Sequence, residues 1–183
     1  MRMSSKIIFD TDCISSFLWT SSTELLIKLY KGRIVIPDIV HEELKKLKSD
    51  RVPSYLWENL ERMINDGKIA IYTIAIGEEA TIQEYLRLIE NNQIGKGEAA
   101  TIAIAKTVKG YTASNNYKDI RRFIDSGEIE NISTIDILCE AYVKKLKTID
   151  EVEKIKAEMI KRRRKLPFES MHDILKDGGL LDV

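Results

Sequence analysis

The chain has 183 residues, 44% hydrophobic and 32% charged, with two cysteines, which excludes a disordered chain, a disulfide framework and a multi-cysteine zinc site. Lysine and arginine together number 29, as do aspartate and glutamate, yet residues 144–165 carry ten basic against four acidic side chains, so zero net charge does not exclude a polyanionic partner. No apolar run approaches a signal peptide or the roughly 18 residues of a membrane span, and we expect a soluble, cytoplasmic protein without a membrane partner.

Short strands alternate with helices along the first half of the chain. Apolar, β-forming runs predict strands at 7–9, 33–36 and 68–74. Apolar residues at helical spacing predict four intervening helices. The first runs over Cys13–Leu18, and the second runs from a capping box at 21–24 to Leu29, with Gly32 after its end. The third runs from Pro37 to Leu47 and the fourth from Pro53 to Gly67. The first half thus predicts three strands, each followed by helical sequence.

The second half continues this alternation. It predicts helices at 78–90, 98–108 and 134–146, a helix capped by Asn116, a strand at 111–114 and a weak strand at 131–133. Strands that alternate with helices predict an α/β fold, with a parallel sheet covered by helices on both faces.

The C-terminal segment is more charged than the rest. Residues 148–165 predict a helix with a narrow apolar stripe at Ile149, Val152, Ile155 and Met159. A stripe this narrow is typical of an appendage rather than a second core. We therefore divide the chain into a domain at 1–147 and a charged helical extension at 148–183.

Acidic side chains follow the predicted strands. Ligand sites of open parallel sheets lie at the carboxyl ends of the strands, and Asp10 and Asp12 come directly after the first strand. Asp12 is explained equally well as the N-cap of a helix that begins at Cys13. Asp10 lies two residues too early for that role, and a carboxylate after a buried strand is costly unless it is hydrogen-bonded or bound to a cation. Asp10 is therefore a candidate site residue.

Helix geometry separates Glu42 from Glu43. Glu42 precedes Lys45 and Lys46 by three and four positions, which is the spacing of a solvated ion-pair face. Glu43 lies along the apolar stripe of the same helix, where a lone carboxylate is costly, although a side chain at the edge of a stripe can extend to water. The pattern favours Glu43 as the candidate.

Two further acids complete a set of four. Glu98 is the first residue of a predicted helix of small residues. It is either a favourable charge at the helix N-terminus or a site residue. Asn116 and Asp119 follow the fourth strand, either as a capping-box pair or as part of the site. Gathered at one sheet edge, Asp10, Glu43, Glu98 and Asp119 would repel one another. A cation would offset this repulsion, and an all-oxygen ligand set selects Mg²⁺ or Mn²⁺.

Four segments, in order, resemble the motifs of the PIN domain family, whose members are mostly metal-dependent ribonucleases. The segments are Ile8–Asp12, Ile36–Leu44, Gly97–Ala105 and Thr112–Ile120. The resemblance covers about residues 6–146 and implies a three-layer α/β/α sandwich that hydrolyses RNA phosphodiester bonds. The resemblance implies that the catalytic residues and metal ligands are Asp10, Glu43, Glu98 and Asp119. The chain departs from the family pattern at Asn115, where many members have Asp, and at Asp12, where a small polar residue is common.

The resemblance also implies supporting residues and partners. Side chains that would orient a phosphate or a water beside the metal are Asp12, Lys96, Ser114, Asn115 and Asn116. Single-stranded or looped RNA is the implied substrate. Many bacterial members of this size are toxins of toxin–antitoxin pairs, similar to the VapC toxins, which implies an antitoxin partner; a homodimer is a further expectation.

Two other functions stay open. The sequence of Asp10, Thr11 and Asp12 is similar to the D-x-D motif of haloacid-dehalogenase-like phosphatases, but no later acid pair or well-placed lysine completes that pattern. Asn115, in place of an acid, instead favours a PIN-like module that binds RNA or protein without cleaving it.

The basic cluster at 161–165 also has more than one interpretation. Cations at a helix end are favoured by the helix dipole, and Pro167 ends the helix shortly afterwards. Five consecutive cations exceed that need, so Arg162, Arg163 and Arg164 are candidates for binding RNA phosphates. The same surface would alternatively bind an acidic segment of an antitoxin.

Overall fold

The centre of the computed structural model, which describes residues 5–47, 54–90 and 94–181, is a five-stranded sheet. All neighbouring strands are parallel, and their order is β3-β2-β1-β4-β5. The strands are β1 (Ile7–Phe9), β2 (Ile34–Pro37), β3 (Ala70–Tyr72), β4 (Tyr111–Ala113) and β5 (Glu130–Ile132). The predicted parallel sheet is confirmed. Its order places the ends of β1 and β4 side by side at the middle of the sheet.

Helices connect and cover the strands. In the described residues they are α1 (Thr11–Trp19), α2 (Thr23–Tyr30), α3 (Asp38–Leu47), α4 (Ser54–Asn65), α5 (Glu79–Glu90), α6 (Lys96–Val108), α7 (Tyr117–Asp125), α8 (Thr134–Val143), α9 (Ile149–Lys161) and α10 (Met171–Asp177). None of these helices is long and apolar enough to cross a bilayer. Pro53, the predicted start of α4, lies outside the described residues.

The side chains of β1 divide between two apolar layers. Ile7 and Phe9 pack into the larger layer, which includes residues of α1, α2, α8 and α9, whereas Ile8 packs with Ile104 of α6 on the opposite face. This alternation follows from the two-residue period of a strand. Helices thus cover both faces, and the three-layer α/β/α sandwich is confirmed.

The C-terminal helices pack against the larger layer. Val152 and Met159 of the predicted apolar stripe are fully buried there, and Met171 and Leu175 of α10 join them. α10 was not predicted from the sequence, although Ser170 caps it by accepting a hydrogen bond from the Asp173 N–H. The division of the chain at residue 147 stays a prediction.

Several helix starts differ from their predicted positions. α1 begins at Thr11, so Asp10 is the N-cap, and the interpretation of Asp12 as the N-cap is excluded. The predicted capping box at 21–24 is also wrong, because Ser22 is the N-cap of α2 and its side chain makes no capping bond. α6 begins at Lys96 rather than Glu98, with Gly95 as its N-cap. The start of α6 brings the Gly97 backbone into the candidate site.

Candidate active site

Asp10 lies at the junction of β1 and β4. Its N–H continues the parallel ladder by donating to the Ala113 carbonyl, and its Oδ1 accepts a hydrogen bond of 2.7 Å from the Cys13 N–H. The carboxyl group also bonds with the Ser114 hydroxyl, and only 5% of the residue is exposed. Burial raises the pKa of Asp10 from 3.8 to about 6, against the lowering effect of these hydrogen bonds. Asp10 is therefore both a cap and a buried acid facing the site.

Glu98 and Asp119 form a carboxyl pair beside Asp10. Burial, the charges of Asp10 and Asp119, and contact with the Asp119 carboxyl together raise the pKa of Glu98 to about 8. Asn116 Nδ2 donates to Glu98 Oε2 at 3.2 Å and to Asp119 Oδ2 at 2.7 Å. Asn116 is the N-cap of α7 by position, but its side chain makes no capping bond, so the predicted capping box is wrong. The Asn116 amide instead joins the two acids.

One oxygen of this pair is left without a donor. Glu98 Oε1 is buried and has no hydrogen-bond partner among the described residues. A buried carboxylate oxygen without a donor or a cation is destabilising. Burial of this oxygen beside other acids therefore favours the protonated form of Glu98 until a cation binds.

Glu43 contacts the residues that adjoin Asp10 and Glu98. The Thr11 hydroxyl donates to Glu43 Oε2, and the Gly97 N–H donates to Glu43 Oε1 at 3.2 Å. A Cβ at Gly97 would lie 2.6 Å from Glu43 Oε2, so only glycine allows this approach. Helix geometry therefore selected the correct acid of the pair to face inward, since Glu42 is exposed and pairs with Lys45.

Asp12 belongs to a second polar cluster next to the first. Arg164 Nη1 donates to Asp12 Oδ1 at 2.6 Å, and Asn115 Nδ2 donates to Asp12 Oδ2 at 3.0 Å. The Asn115 Oδ1 in turn accepts from the Thr134 N–H at 2.9 Å. Asn115 thus faces Asp12 and α8 rather than the acids Asp10 and Glu98.

The remaining candidates are cations at the rim. Lys96 is exposed and lines a cavity of about 500 Å³ that Glu43 also lines. Arg162 and Arg163 are exposed and line a second cavity of about 640 Å³ together with Arg164 and Trp19. Arg162 also pairs with Glu158 of its own helix at 3.0 Å. The first cavity therefore combines Lys96 with the acid Glu43. The second combines Arg162 and Arg163 with Arg164, which is bonded to Asp12.

The acids supply the donor atoms that a hard divalent cation prefers, but they are not arranged around a single point. Carboxylate oxygens are the donors that Mg²⁺ and Mn²⁺ prefer, and the unpartnered Glu98 Oε1 provides one in the interior. Among the described residues, however, no three Asp, Glu, His or Cys side chains are already gathered around one point. Asp10, Glu98 and Asp119 are thus electrostatically coupled without forming a closed coordination shell.

Sequence reasoning did not find three of the contacts that organise the site. Thr11 and Gly97 are predicted only as parts of motifs, and Arg164 only as a candidate for binding RNA phosphates. A glycine one position before a candidate acid is a signal of close backbone approach. The contact between Asp12 and Arg164 joins residues 152 positions apart, and no local pattern encodes such a pair.

Comparisons with known proteins agree with this architecture. A family model described as a PIN domain matches residues 6–179. The fold is similar to that in a crystal structure of DNA-bound VapBC from Salmonella typhimurium, with a TM-score of 0.56 and 16% identity over 71% of this chain and 98% of that chain. At this identity the likeness concerns the fold alone. A search of curated protein sequences finds no significant match.

Proposed function

Since the chain belongs to the PIN domain family, we propose that it is a metal-dependent ribonuclease that hydrolyses RNA phosphodiester bonds at the ends of β1 and β4. The observation that carries this proposal is the buried, unpartnered Oε1 of Glu98, in a carboxyl group whose pKa is raised to about 8 beside Asp10 and Asp119. A divalent cation removes the electrostatic cost of ionising such a group.

The proposed ligands of Mg²⁺ or Mn²⁺ are Asp10, Glu98 and Asp119, with Glu43 completing the set. When bound, the ion supplies a water of lowered pKa and offsets charge that develops on the phosphate. Thr11 and the Gly97 N–H hold the Glu43 carboxyl in place. The Ser114 hydroxyl and the Asn116 amide hold the other acids from the β4 side.

The rim cations are the proposed contacts for RNA. Lys96 stands beside the cavity next to Glu43, and Arg162 and Arg163 are exposed beside Trp19. Cationic side chains neutralise backbone phosphates whatever the base sequence. A single-stranded or looped RNA would therefore lie across the acidic edge between these cations, and hydrolysis would leave a 5′-phosphate and a 3′-hydroxyl.

Cleavage of a radiolabelled single-stranded RNA tests the proposal. We expect cleavage by the wild type with Mn²⁺ or Mg²⁺, none with EDTA, and none by Asp10→Asn. Asparagine retains the cap of α1 because its side-chain oxygen accepts the same Cys13 N–H bond, so circular dichroism should show an unchanged fold. Metal-independent cleavage, or full activity of Asp10→Asn, would reject the proposal.

We further propose that the chain acts in the cytoplasm as the toxin of a toxin–antitoxin pair, with a small protein antitoxin as partner. Support comes from the similar fold in the VapBC structure. Co-expression with a small open reading frame adjacent to this gene should yield a complex in which RNA cleavage is suppressed. Light scattering of the isolated chain tests the expected homodimer.

A non-catalytic module that binds RNA or protein is the second candidate. It is favoured by the open arrangement of the acids, since no described group of three is gathered around a point. RNA binding without cleavage, at any divalent metal concentration, would establish it. The match to the PIN domain model leaves the haloacid-dehalogenase-like phosphatase without support.

A further inference from the structure

The turn that ends α9 aims Arg164 back at the candidate active site. Arg162 caps the helix, and Arg163 adopts a left-handed φ of 62°. The Arg163 N–H donates to the Ile160 carbonyl at 2.8 Å and the Arg164 N–H to the Met159 carbonyl at 3.1 Å, which are the two bonds of a Schellman motif. The left-handed position normally favours glycine, so surrounding contacts must hold arginine there.

Those contacts lie along one face of α1. Asp12 and Trp19 are seven positions apart, which places them two turns apart on the same helix face. The Arg164 guanidinium lies 4.0 Å from the Trp19 ring centroid, and its Nη1 lies 2.6 Å from Asp12 Oδ1. Ser15 and Ser16, between them, are small and buried, so the arginine can lie along this face. Only 12% of the Arg164 side chain is exposed.

Arg164 and Asn115 together occupy both oxygens of Asp12. The guanidinium binds Oδ1 and the Asn115 amide binds Oδ2 at 3.0 Å. Asn115 cannot turn away without losing its bond to the Thr134 N–H. Asp12 therefore has a full positive charge as its direct partner, whereas the described residues show no such ion pair for Asp10, although Asp10 stands only two residues earlier.

We propose that Arg164 is a positioning residue that keeps Asp12 out of the metal-binding set. Its guanidinium is a permanent counterion for Asp12, so a divalent cation is directed to Asp10, Glu98 and Asp119. Without Arg164, the Asp12 carboxylate becomes a competing ligand, and one positive charge leaves the vicinity of the ion. This inference rests on the proposed function only in that the site binds a divalent cation.

Calorimetric titration of the full chain with Mn²⁺ alone tests this role. Arg164→Met removes the charge and keeps an apolar stem over Trp19, and we expect it to bind Mn²⁺ about tenfold more tightly. The double variant Asp12→Asn/Arg164→Met should return to the wild-type affinity, and Arg164→Lys should stay close to it. Lys161→Met is the matched control: it removes a cation one turn away that is exposed and paired with Glu158, and Mn²⁺ affinity should change less than twofold.

The single variant Asp12→Asn tests the same inference if Arg164→Met does not fold. We expect its Mn²⁺ affinity to fall by less than about tenfold, because Asp12→Asn leaves the Arg164 charge without its counterion near the ion. A loss of about 100-fold would show that Asp12 is a ligand and overturn the inference. Equal Mn²⁺ binding by Arg164→Met and Lys161→Met, or a loss of RNA affinity by Arg164→Met with Mn²⁺ binding unchanged, would also overturn it.

The same titrations separate this inference from the proposed function. If neither the wild type nor Arg164→Met binds Mn²⁺, both are rejected. If the wild type binds Mn²⁺ and Arg164→Met binds it more tightly, but the wild type cleaves no RNA, the inference stands and the proposed ribonuclease activity is rejected.

Discussion

The backbone N–H of Gly97 donates to Glu43 Oε1 at 3.2 Å, and this bond joins the first turn of α6 to α3. The α-carbon of Gly97 faces the carboxylate so directly that an added Cβ would lie 2.6 Å from Oε2. The close approach holds Glu43 against the residue that precedes Glu98. The absence of a side chain at Gly97 is thus part of the geometry of the site.

Gly97→Ala should displace the Glu43 carboxylate. We expect metal-dependent RNA cleavage to fall because the new methyl group forces the Glu43 carboxylate aside, whereas stability should change little, since the displaced atoms are the end of a flexible side chain. Gly95→Ala is the control for cleavage, since its added Cβ would contact nothing within 4 Å, although alanine at this N-cap lowers stability by a separate mechanism. Equal metal-dependent cleavage rates for the two variants would contradict this assignment.

Glu43→Gln and Glu42→Gln should differ in activity. Glu43 is half-buried and bonded to Thr11 and Gly97, whereas Glu42 is exposed and pairs with Lys45. We expect Glu43→Gln to lose cleavage activity by about 100-fold and Glu42→Gln to retain it. The reverse result in the Mn²⁺-dependent cleavage assay would show that the wrong acid was chosen.

The metal-free protein should become less stable as the pH rises. The folded pKa values of Asp10 (about 6) and Glu98 (about 8) both exceed their ordinary values. Such groups contribute stability that is complete below the unfolded pKa and is lost as pH rises through the folded pKa. In EDTA, we expect the free energy of unfolding to fall by several kcal/mol, at most about 5 kcal/mol, between pH 5 and pH 8.5.

Two variants identify the acids responsible for that pH dependence. Asp10→Asn and Glu98→Gln should each flatten the decline, because neither amide ionises. Asp125→Asn, at an exposed carboxylate paired with Arg121, should retain the wild-type slope. A flat wild-type profile in EDTA would be incompatible with raised pKa values at Asp10 and Glu98.

The exposed arginines after α9 should govern RNA affinity. Arg162→Ala/Arg163→Ala should weaken binding almost uniformly across RNA sequences and lower the slope of log affinity against log salt by about 1–2. Lys154→Ala/Lys176→Ala removes the same charge from exposed positions elsewhere in the C-terminal helices. Identical salt slopes for the two double variants would assign the arginines to helix capping or to a protein partner.

Local sequence patterns were sufficient to predict the strands of the sheet and to show which of Glu42 and Glu43 faces inward. The apolar runs at β1 and β2 and the stripe that includes Val152 and Met159 are encoded by strand and helix periods, which act over a few residues. Helix geometry also distinguished Glu43 from Glu42. The strands and the buried stripe are confirmed because each depends only on which face of one element is apolar, whereas the role of Glu43 stays a prediction.

The rest of the site depends on contacts that no local pattern contains. Asp10 was rejected as a cap because the start of α1 was placed at Cys13, yet the cap forms at Asp10 and its carboxyl still faces Glu98. Arg164 reaches Asp12 only because α9 packs on the core and its final turn reverses the chain. Tertiary packing, rather than propensity, decides both outcomes.

Proton release during metal binding tests the central claim most directly. At pH 7 the Glu98 carboxyl, with a pKa of about 8, is mostly protonated, so a cation that binds it must displace a proton. Mn²⁺ titrations by calorimetry in buffers of different ionisation enthalpy should give about one proton released per ion bound at pH 7, falling toward zero by pH 9.5. Glu98→Gln should bind more weakly and release almost none. Mn²⁺ binding without proton release at pH 7, or no binding at millimolar Mn²⁺, would contradict the account.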